Sequence, residues 1–359
     1  MPTRSRWTVP LRVGQFTLAL FLFVLAIQMM KDGAGSLAPS LELARWNAVA
    51  TLGLGVLLAY LFLSGKPVAA FALSLFAAGG LTRLQAFTML SGGRLGAAFI
   101  VLLVGFLYAV RGRNRRESIG VGVLALSLTA LVYIPGMLVG YGILKSGLLD
   151  GVNLTSARVE GAVGVVFDPI VHAISNALSA VHLPDAVLLP LGGAVIVVAI
   201  KLIDRLLPEV EGHRLESGGR RARSEWAMFA MGFVITLVTL SVSVALTVLV
   251  PLAAKGHVNR REAVPYIMGA NVATLADTLL VAIVYNNAVG VQIVLAEFIG
   301  VALVTAAFLL LAYRMVCRGV LALDDYVVAN NRRLSLFVAS LVVLPVLMVG
   351  AGFLAGRGA

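Results

Sequence analysis

From Ser118 to Leu144 the chain runs 27 residues without a charged side chain, and runs of similar character recur along its length. Such a run in a bilayer has no water to satisfy its peptide groups, so it must close its own hydrogen bonds as a helix. Comparable runs are Gln15 to Met30, Ala186 to Ile200, Val291 to Tyr313 and Leu334 to Phe353. At about 20 residues per crossing, roughly 9–11 segments fit between the charged connectors. The balance of residues agrees: 60% of the 359 are apolar and 13% are charged, against about 25% charged in a soluble domain. The chain therefore reads as an all-α polytopic integral membrane protein whose principal partner is the lipid bilayer. It carries no phosphate-cradling loop, dinucleotide fingerprint, zinc spacing or Ser-His-Asp arrangement, so it reads as a non-enzyme and ATP hydrolysis is not its energy source. A lone cysteine, Cys317, excludes an internal disulfide and a cysteine-based metal cluster.

Lys and Arg number 28 against 17 Asp and Glu, a net charge of +11. In a chain this apolar the excess sets orientation rather than binding nucleic acid, because basic connectors stay on the cytoplasmic side. Arg4, Arg6 and Arg12 precede the first run and place the N-terminus in the cytoplasm of a multi-pass cell-membrane protein. The chain beyond that run consists of further membrane segments, which favours a retained first span over a signal peptide. Arg111 to Arg116 and Lys201 to Arg223 are further basic connectors, as are Arg314, Arg318, Arg332 and Arg333. Between Lys145 and Asp185 lie mixed polar residues that read as an external loop followed by an amphipathic or re-entrant helix. Asp168 and His172 there are four apart, within reach on one helix face; an ordinary polar face is the simpler reading than a metal pair. Asn153-Leu154-Thr155 is a glycosylation sequon with no supporting secretory context.

Two 64-residue blocks, Asn47 to Val110 and Ser224 to Asn287, align without a gap at a shift of 177 and share 14 identities. The matches include Gly55 on Gly232, Leu63-Ser64 on Leu240-Ser241, Gly79 on Gly256, Arg83 on Arg260 and Gly92 on Gly269. Trp46 and Trp226 mark the two starts, as interfacial aromatics do. By the charge rule the first block begins outside and the second inside, so the repeats are inverted, the arrangement of secondary transporters whose site lies between the halves. The chain divides into 1–46 (N-terminus and first span), 47–110 (first repeat), 111–223 (connecting spans and loops), 224–287 (second repeat) and 288–359 (C-terminal spans). In the second repeat, Thr239 to Ser243 and Met268 to Thr274 are expected to interrupt the helices and expose backbone to an ion; close packing of small residues is the competing reading. His257 and Asn259 fall in the connector between them, read as a solvated loop.

The stretch GFVITLVTLSVSVALTVLVPLAAKG followed by PYIMGANVATLADTLL resembles the repeat of the sodium/phosphate cotransporter family, and LFLFVLAIQMMKDGAGSLA resembles that family's first helix. The resemblance extends over most of the chain. Against the family's Gln-Ser-Ser-Ser signature, Ser241 and Ser243 are kept, while Leu240 and Val242 replace Gln and Ser. Gly269, Ala270, Asn271 and Thr274 are kept from Gly-Ala-Asn-Ile-Gly-Thr-Thr. In the first repeat Ser64 is kept, while Lys66 and Arg94 stand at the equivalents of Ser243 and Asn271. The resemblance implies a secondary transporter of an inorganic anion, phosphate first, with Na+ as coupling ion, weakly used because its ligands are eroded, and no cofactor. The site it implies comprises Ser64, Lys66, Arg94, Ser241, Ser243, Asn271, Thr274 and Asp277. Charges within a bilayer cost about 2.5–3.5 kcal/mol each on insertion scales. Lys66 and Arg94 therefore either attract an oxyanion or form a structural ion pair with Asp277, with Glu297 as second counter-charge. The rival function is a degenerate homologue that acts as a scaffold or regulator without transporting.

Overall fold

The structure, a computed structural model, describes residues 8–37, 46–112, 114–152, 185–206, 224–284 and 287–357. Asn153, Asp168, His172 and most of both the expected external loop and the Lys201 to Arg223 connector lie outside them. All regular elements among the described residues are helical. Among the described residues six stretches are long and apolar enough to cross a membrane: Thr17–Gly35, Arg83–Val110, Arg115–Ser146, Arg260–Ile283, Ala288–Val328 and Asn331–Leu354. The first belongs to α1 (Thr8–Leu37), which packs on α7 (Asp185–Leu206). At the centre stands α6 (Arg115–Ser146), half of it buried, with Val121 to Ala125, Leu128 and Val132 under 1% exposed.

Around α6 two sets of short helices repeat. The first is α2 (Ala48–Phe62), α3 (Lys66–Ala77), α4 (Arg83–Ala97) and α5 (Phe99–Val110). The second is α8 (Glu225–Thr239), α9 (Val242–Thr247), α10 (Leu249–Ala254), α11 (Arg260–Ala273) and α12 (Leu275–Val284). Their landmarks fall at the 177-residue shift. The helices α2 and α8 each end on a leucine in the left-handed region, Leu63 (φ 53°) and Leu240 (φ 46°), and Gly79 and Gly256 both sit at φ 75°. The helices α4 and α11 each open with a capping box, Thr82 with Gln85 and Asn259 with Glu262, satisfying N–H groups that have no partner within the helix. Asn259, read from sequence as part of a solvated loop, is thus a helix cap.

The two capped helices begin at opposite ends of α6. Arg83 at the start of α4 binds Asp150, four residues beyond the end of α6, at 3.3 Å, and Gln292 at 2.5 Å. Arg260 at the start of α11 binds Glu117 in the first turn of α6 (3.5 Å), with Asp324 (2.5 Å) and Asp325 (2.9 Å). Equivalent arginines therefore tie opposite faces of the protein.

The expected interruption at Met268 to Thr274 is corrected by the structure: α11 runs on to Ala273 and only Thr274 forms a turn before α12, and α4 likewise runs through the equivalent Gly92. The glycines serve helix crossing instead. A Cβ on Gly92 would overlap the Leu52 carbonyl oxygen, and one on Gly269 that of Phe229; their partners Gly55 and Gly232 meet the Met89 and Tyr266 carbonyl oxygens. Absent side chains let α2 lie on α4 and α8 on α11 at backbone contact, as small residues do between membrane helices. By contrast the breaks at Leu63 to Gly65 and Leu240 to Ser241 are present, and both α3 and α9 are too short to span about 30 Å.

The later helices differ from the expected loops. A single helical run joins α13 (Ala288–Ala307) through a π turn at Phe308–Ala312 to α14 (Tyr313–Val328), so Arg314 and Arg318 lie on a helix. On α14, Tyr313, Val316, Cys317, Val320, Asp324 and Val327 face inward at helical spacing. The last helix, α15 (Asn331–Arg357), exposes Leu336, Leu344, Leu347 and Leu354, a face suited to acyl chains.

Gly269→Ala is expected to force α8 and α11 apart. Overpacking costs about 1–3 kcal/mol, which lowers the unfolding temperature of the detergent-purified protein by roughly 2–10 °C. Gly319→Ala, where a Cβ meets nothing within 4 Å, serves as control and should leave that temperature unchanged.

Candidate functional site

Arg94 lies eleven residues into α4 and Asn271 eleven residues into α11. At 1.5 Å per residue each is about 16 Å from its helix start, near the middle of a hydrocarbon core about 30 Å thick. Because the two helices start at opposite ends of α6, these depths coincide rather than diverge. The polar groups of both halves meet there.

The Arg94 guanidinium, 2% exposed, reaches across to the second half. Its Nη2 donates to Asp277 Oδ1 at 2.8 Å and its Nη1 to Thr274 Oγ1 at 3.1 Å. Asp277 is 5% exposed, and its Oδ1 accepts a second hydrogen bond from the Thr278 hydroxyl at 2.9 Å. Each ion would be costly alone in this medium; together, with short charge-assisted hydrogen bonds, they compensate one another. The compensation is incomplete. Arg94 Nε and Asp277 Oδ2 are buried with no hydrogen-bond partner.

The break after α2 abuts this pair. A Cβ on Gly65 would lie 3.0 Å from the Gly93 carbonyl oxygen and 3.4 Å from Arg94 Nη1, so the glycine relieves a tight approach of this break to α4. On either side of it, Ser64 Oγ accepts from the Lys66 backbone N–H at 3.4 Å, and Lys66, 8% exposed, opens α3 with Pro67 behind it. Proline in a first helical turn loses no hydrogen bond.

The remaining candidates are arranged differently. Asn271 turns to α6, exchanging hydrogen bonds with Thr129 through Nδ2 (3.1 Å) and Oδ1 (3.3 Å), while its carbonyl accepts from the Tyr133 hydroxyl at 2.9 Å. Ser241 caps α9, its Oγ accepting from the Val244 N–H at 3.3 Å, and Ser243 lies half-buried in the first turn of that helix. Arg94, Thr274 and Asp277 thus form one contact, with Ser64 and Lys66 flanking the glycine that abuts it. Asn271 is oriented by α6, and Ser241 bonds locally.

Thr129 and Tyr133 belong to the site's surroundings but were not singled out from sequence, where Ser118 to Leu144 reads as a uniform apolar span. Their signal is two hydrogen-bonding side chains four apart in that run, the spacing of one helix face. Two clefts lie at the protein surface near the Arg260 end. The larger, about 640 Å3, is lined by residues including Ser224, Trp226, Asn259 and Arg261, and the smaller by Arg261, Arg314, Cys317, Arg318 and Leu321; neither contains a candidate residue. Among the described residues, no cluster of three His, Cys, Asp or Glu has the makings of a metal site.

Residues 195–355 match the family model described as Na+/Pi-cotransporter. The match takes in α8 to α14, hence Ser241, Ser243, Asn271, Thr274 and Asp277, and leaves Ser64, Lys66 and Arg94 outside it. No curated protein and no solved structure matches the chain.

Removing one partner of a buried ion pair costs about 3–5 kcal/mol. Asp277→Ala should therefore lower the unfolding temperature markedly, and the double change Arg94→Leu with Asp277→Leu should recover most of the loss. Thermal unfolding of the wild type, the two single leucine variants, the double variant and Asp277→Ala checks this; additive losses in the leucine set would show that the two residues do not depend on each other.

Proposed function

We propose that this chain, whose residues 195–355 match the Na+/Pi-cotransporter family model, is a secondary membrane transporter of an inorganic anion, with phosphate the first candidate. The observation that carries this reading is the Arg94 guanidinium. It is buried at mid-depth, held by side chains of the opposite half, and still has a donor, Nε, without an acceptor. A planar fork of N–H groups suits a tetrahedral oxyanion, and a buried cation supplies the charge that a bound ion would otherwise bring. In this reading the Asp277 carboxylate occupies the guanidinium when no substrate is present. An arriving anion displaces it and accepts the same N–H groups, with the Thr274 hydroxyl at its edge.

The two faces then open in turn. The arginine ties at opposite ends of α6, Arg83 to Asp150 and Gln292 and Arg260 to Glu117, Asp324 and Asp325, are placed to close one face each. By the charge rule the Arg260 face is expected on the cytoplasmic side of the cell membrane. Sodium coupling is expected to be weak: Lys66 and Arg94 occupy positions where the family keeps hydroxyl and amide oxygens, and Ser241 is engaged as a helix cap. A second reading, the non-transporting scaffold or regulator, is favoured by the same closed pair taken as permanent.

Purified protein in proteoliposomes separates the two. Wild-type protein should accumulate labelled phosphate and be thermally stabilised by it. Arg94→Gln should lose both effects, and replacing sodium by choline should change uptake little. Absence of any thermal shift with phosphate, sulfate or sodium, alone or together, would favour the scaffold, and a steep sodium requirement would contradict the weak coupling.

A further inference from the structure

Glu297 lies nine residues into α13 and is fully buried, and neither of its carboxylate oxygens has a hydrogen-bond partner. Helix α13 is locked to α6 at this level: a Cβ on Gly140 would meet the Ala296 carbonyl oxygen at 2.7 Å, one on Gly136 would lie 2.9 Å from the Val301 side chain, and one on Gly300 would overlap the Gly136 carbonyl. The groups facing Glu297 come from each neighbouring element. Arg94 and Ser91 are on α4, Tyr133 on α6 and Asp277 on α12, and Lys66 starts α3, which also packs on α13. The charged residues of α11, Arg260 to Glu262, lie at its far end with Glu117 and Asp324. Arg94 is already bonded to Asp277, and the Ser91 hydroxyl is donated to the Phe87 carbonyl at 3.0 Å.

An ionised carboxylate so placed has no hydrogen bond and only the nearby charge of Arg94, already shared with Asp277, to offset it, so a proton is favoured there without being permanent. A sodium ion draws several oxygens around it, and the Ser91 and Tyr133 hydroxyls near Glu297 are already donated to the Phe87 and Asn271 carbonyls. A proton needs one oxygen only. We propose that Glu297 is a proton-binding site coupled to the anion site at Arg94, so that one proton travels with the anion in place of sodium. This inference rests on the transport reading. Protonation turns the carboxylate into a neutral acid and so raises the charge beside Arg94 by one positive unit, which the monovalent oxyanion cancels. On the opposite face the anion leaves Arg94 for water, Asp277 returns to it, and the Glu297 O–H releases its proton to the aqueous side. Loaded or empty, the site carries the same net charge as it crosses between faces, which is the requirement for moving buried charge through a low-dielectric layer.

The experiment uses the full chain in sodium-free proteoliposomes. One unit of inward proton gradient should concentrate labelled phosphate about tenfold at equilibrium, the energy of one pH unit for one proton per anion. Glu297→Gln, which keeps shape and removes the titrating proton, should still exchange phosphate across the membrane and still be stabilised by it, while losing accumulation driven by the proton gradient. Gradient-driven accumulation retained in Glu297→Gln, or wild-type accumulation driven by sodium and indifferent to the proton gradient, would overturn the proposal. A readout free of transport comes from infrared difference spectra. Wild-type protein should show a carboxylic-acid C=O band that Glu297→Gln lacks, and dicyclohexylcarbodiimide should label Glu297 of the wild-type protein in detergent. Absence of both signals overturns the proton site; their presence in a protein that moves no anion under any gradient overturns the transport reading instead.

Discussion

The contact between Arg94 and Asp277 is the interaction on which the middle of this protein depends. Either ion alone would be expelled from the bilayer or would draw water in; held at 2.8 Å, they allow a charged centre to exist at mid-depth. The pair also joins the halves, since Arg94 comes from α4 and Asp277 from α12. It does so imperfectly, with one N–H and one carboxylate oxygen unpaired. A purely structural pair gains from complete satisfaction, whereas a pair that must yield to a ligand cannot be too stable. The unpaired groups are the physical reason to favour exchange over a permanent plug.

The surrounding framework is built to hold backbone close to backbone. Glycines at equivalent positions, Gly55 and Gly92 in one half and Gly232 and Gly269 in the other, admit carbonyl oxygens where a side chain would stand. Close packing has little hydrophobic drive between helices in lipid, so van der Waals contact and a few interhelical hydrogen bonds carry it. Thr129 and Tyr133 of α6 supply such bonds to Asn271, and Tyr266 of α11 donates to the Ala245 carbonyl at 2.9 Å. The arginines at the two ends then act on a stiff core, where a change at one face is not absorbed by local give.

Helix content and long spans were legible in the sequence because charge-free runs leave the backbone no alternative. The left-handed breaks at Leu63 and Leu240 were legible too, from polar residues in otherwise apolar runs. The glycine motifs were misread: Gly92 and Gly269 look like breakers in a soluble context but are contact points in a membrane one, and composition alone does not separate the two uses. The meeting of Arg94 with Asp277 was foreseen as one of two outcomes, since few counter-charges exist at that depth. What the sequence withheld was direction. Asn271 sits at the position equivalent to Arg94 yet turns to α6, and Ser241 is consumed in capping α9, because rotamer and neighbour decide which way a polar group points.

The account turns on whether the Asp277 carboxylate holds the place of an anion at Arg94. Calorimetric titration of Asp277→Asn with phosphate, beside the wild-type protein, measures this directly. Removing the competing negative charge while keeping the shape should tighten phosphate binding; affinity that is unchanged, or lost altogether, would contradict it.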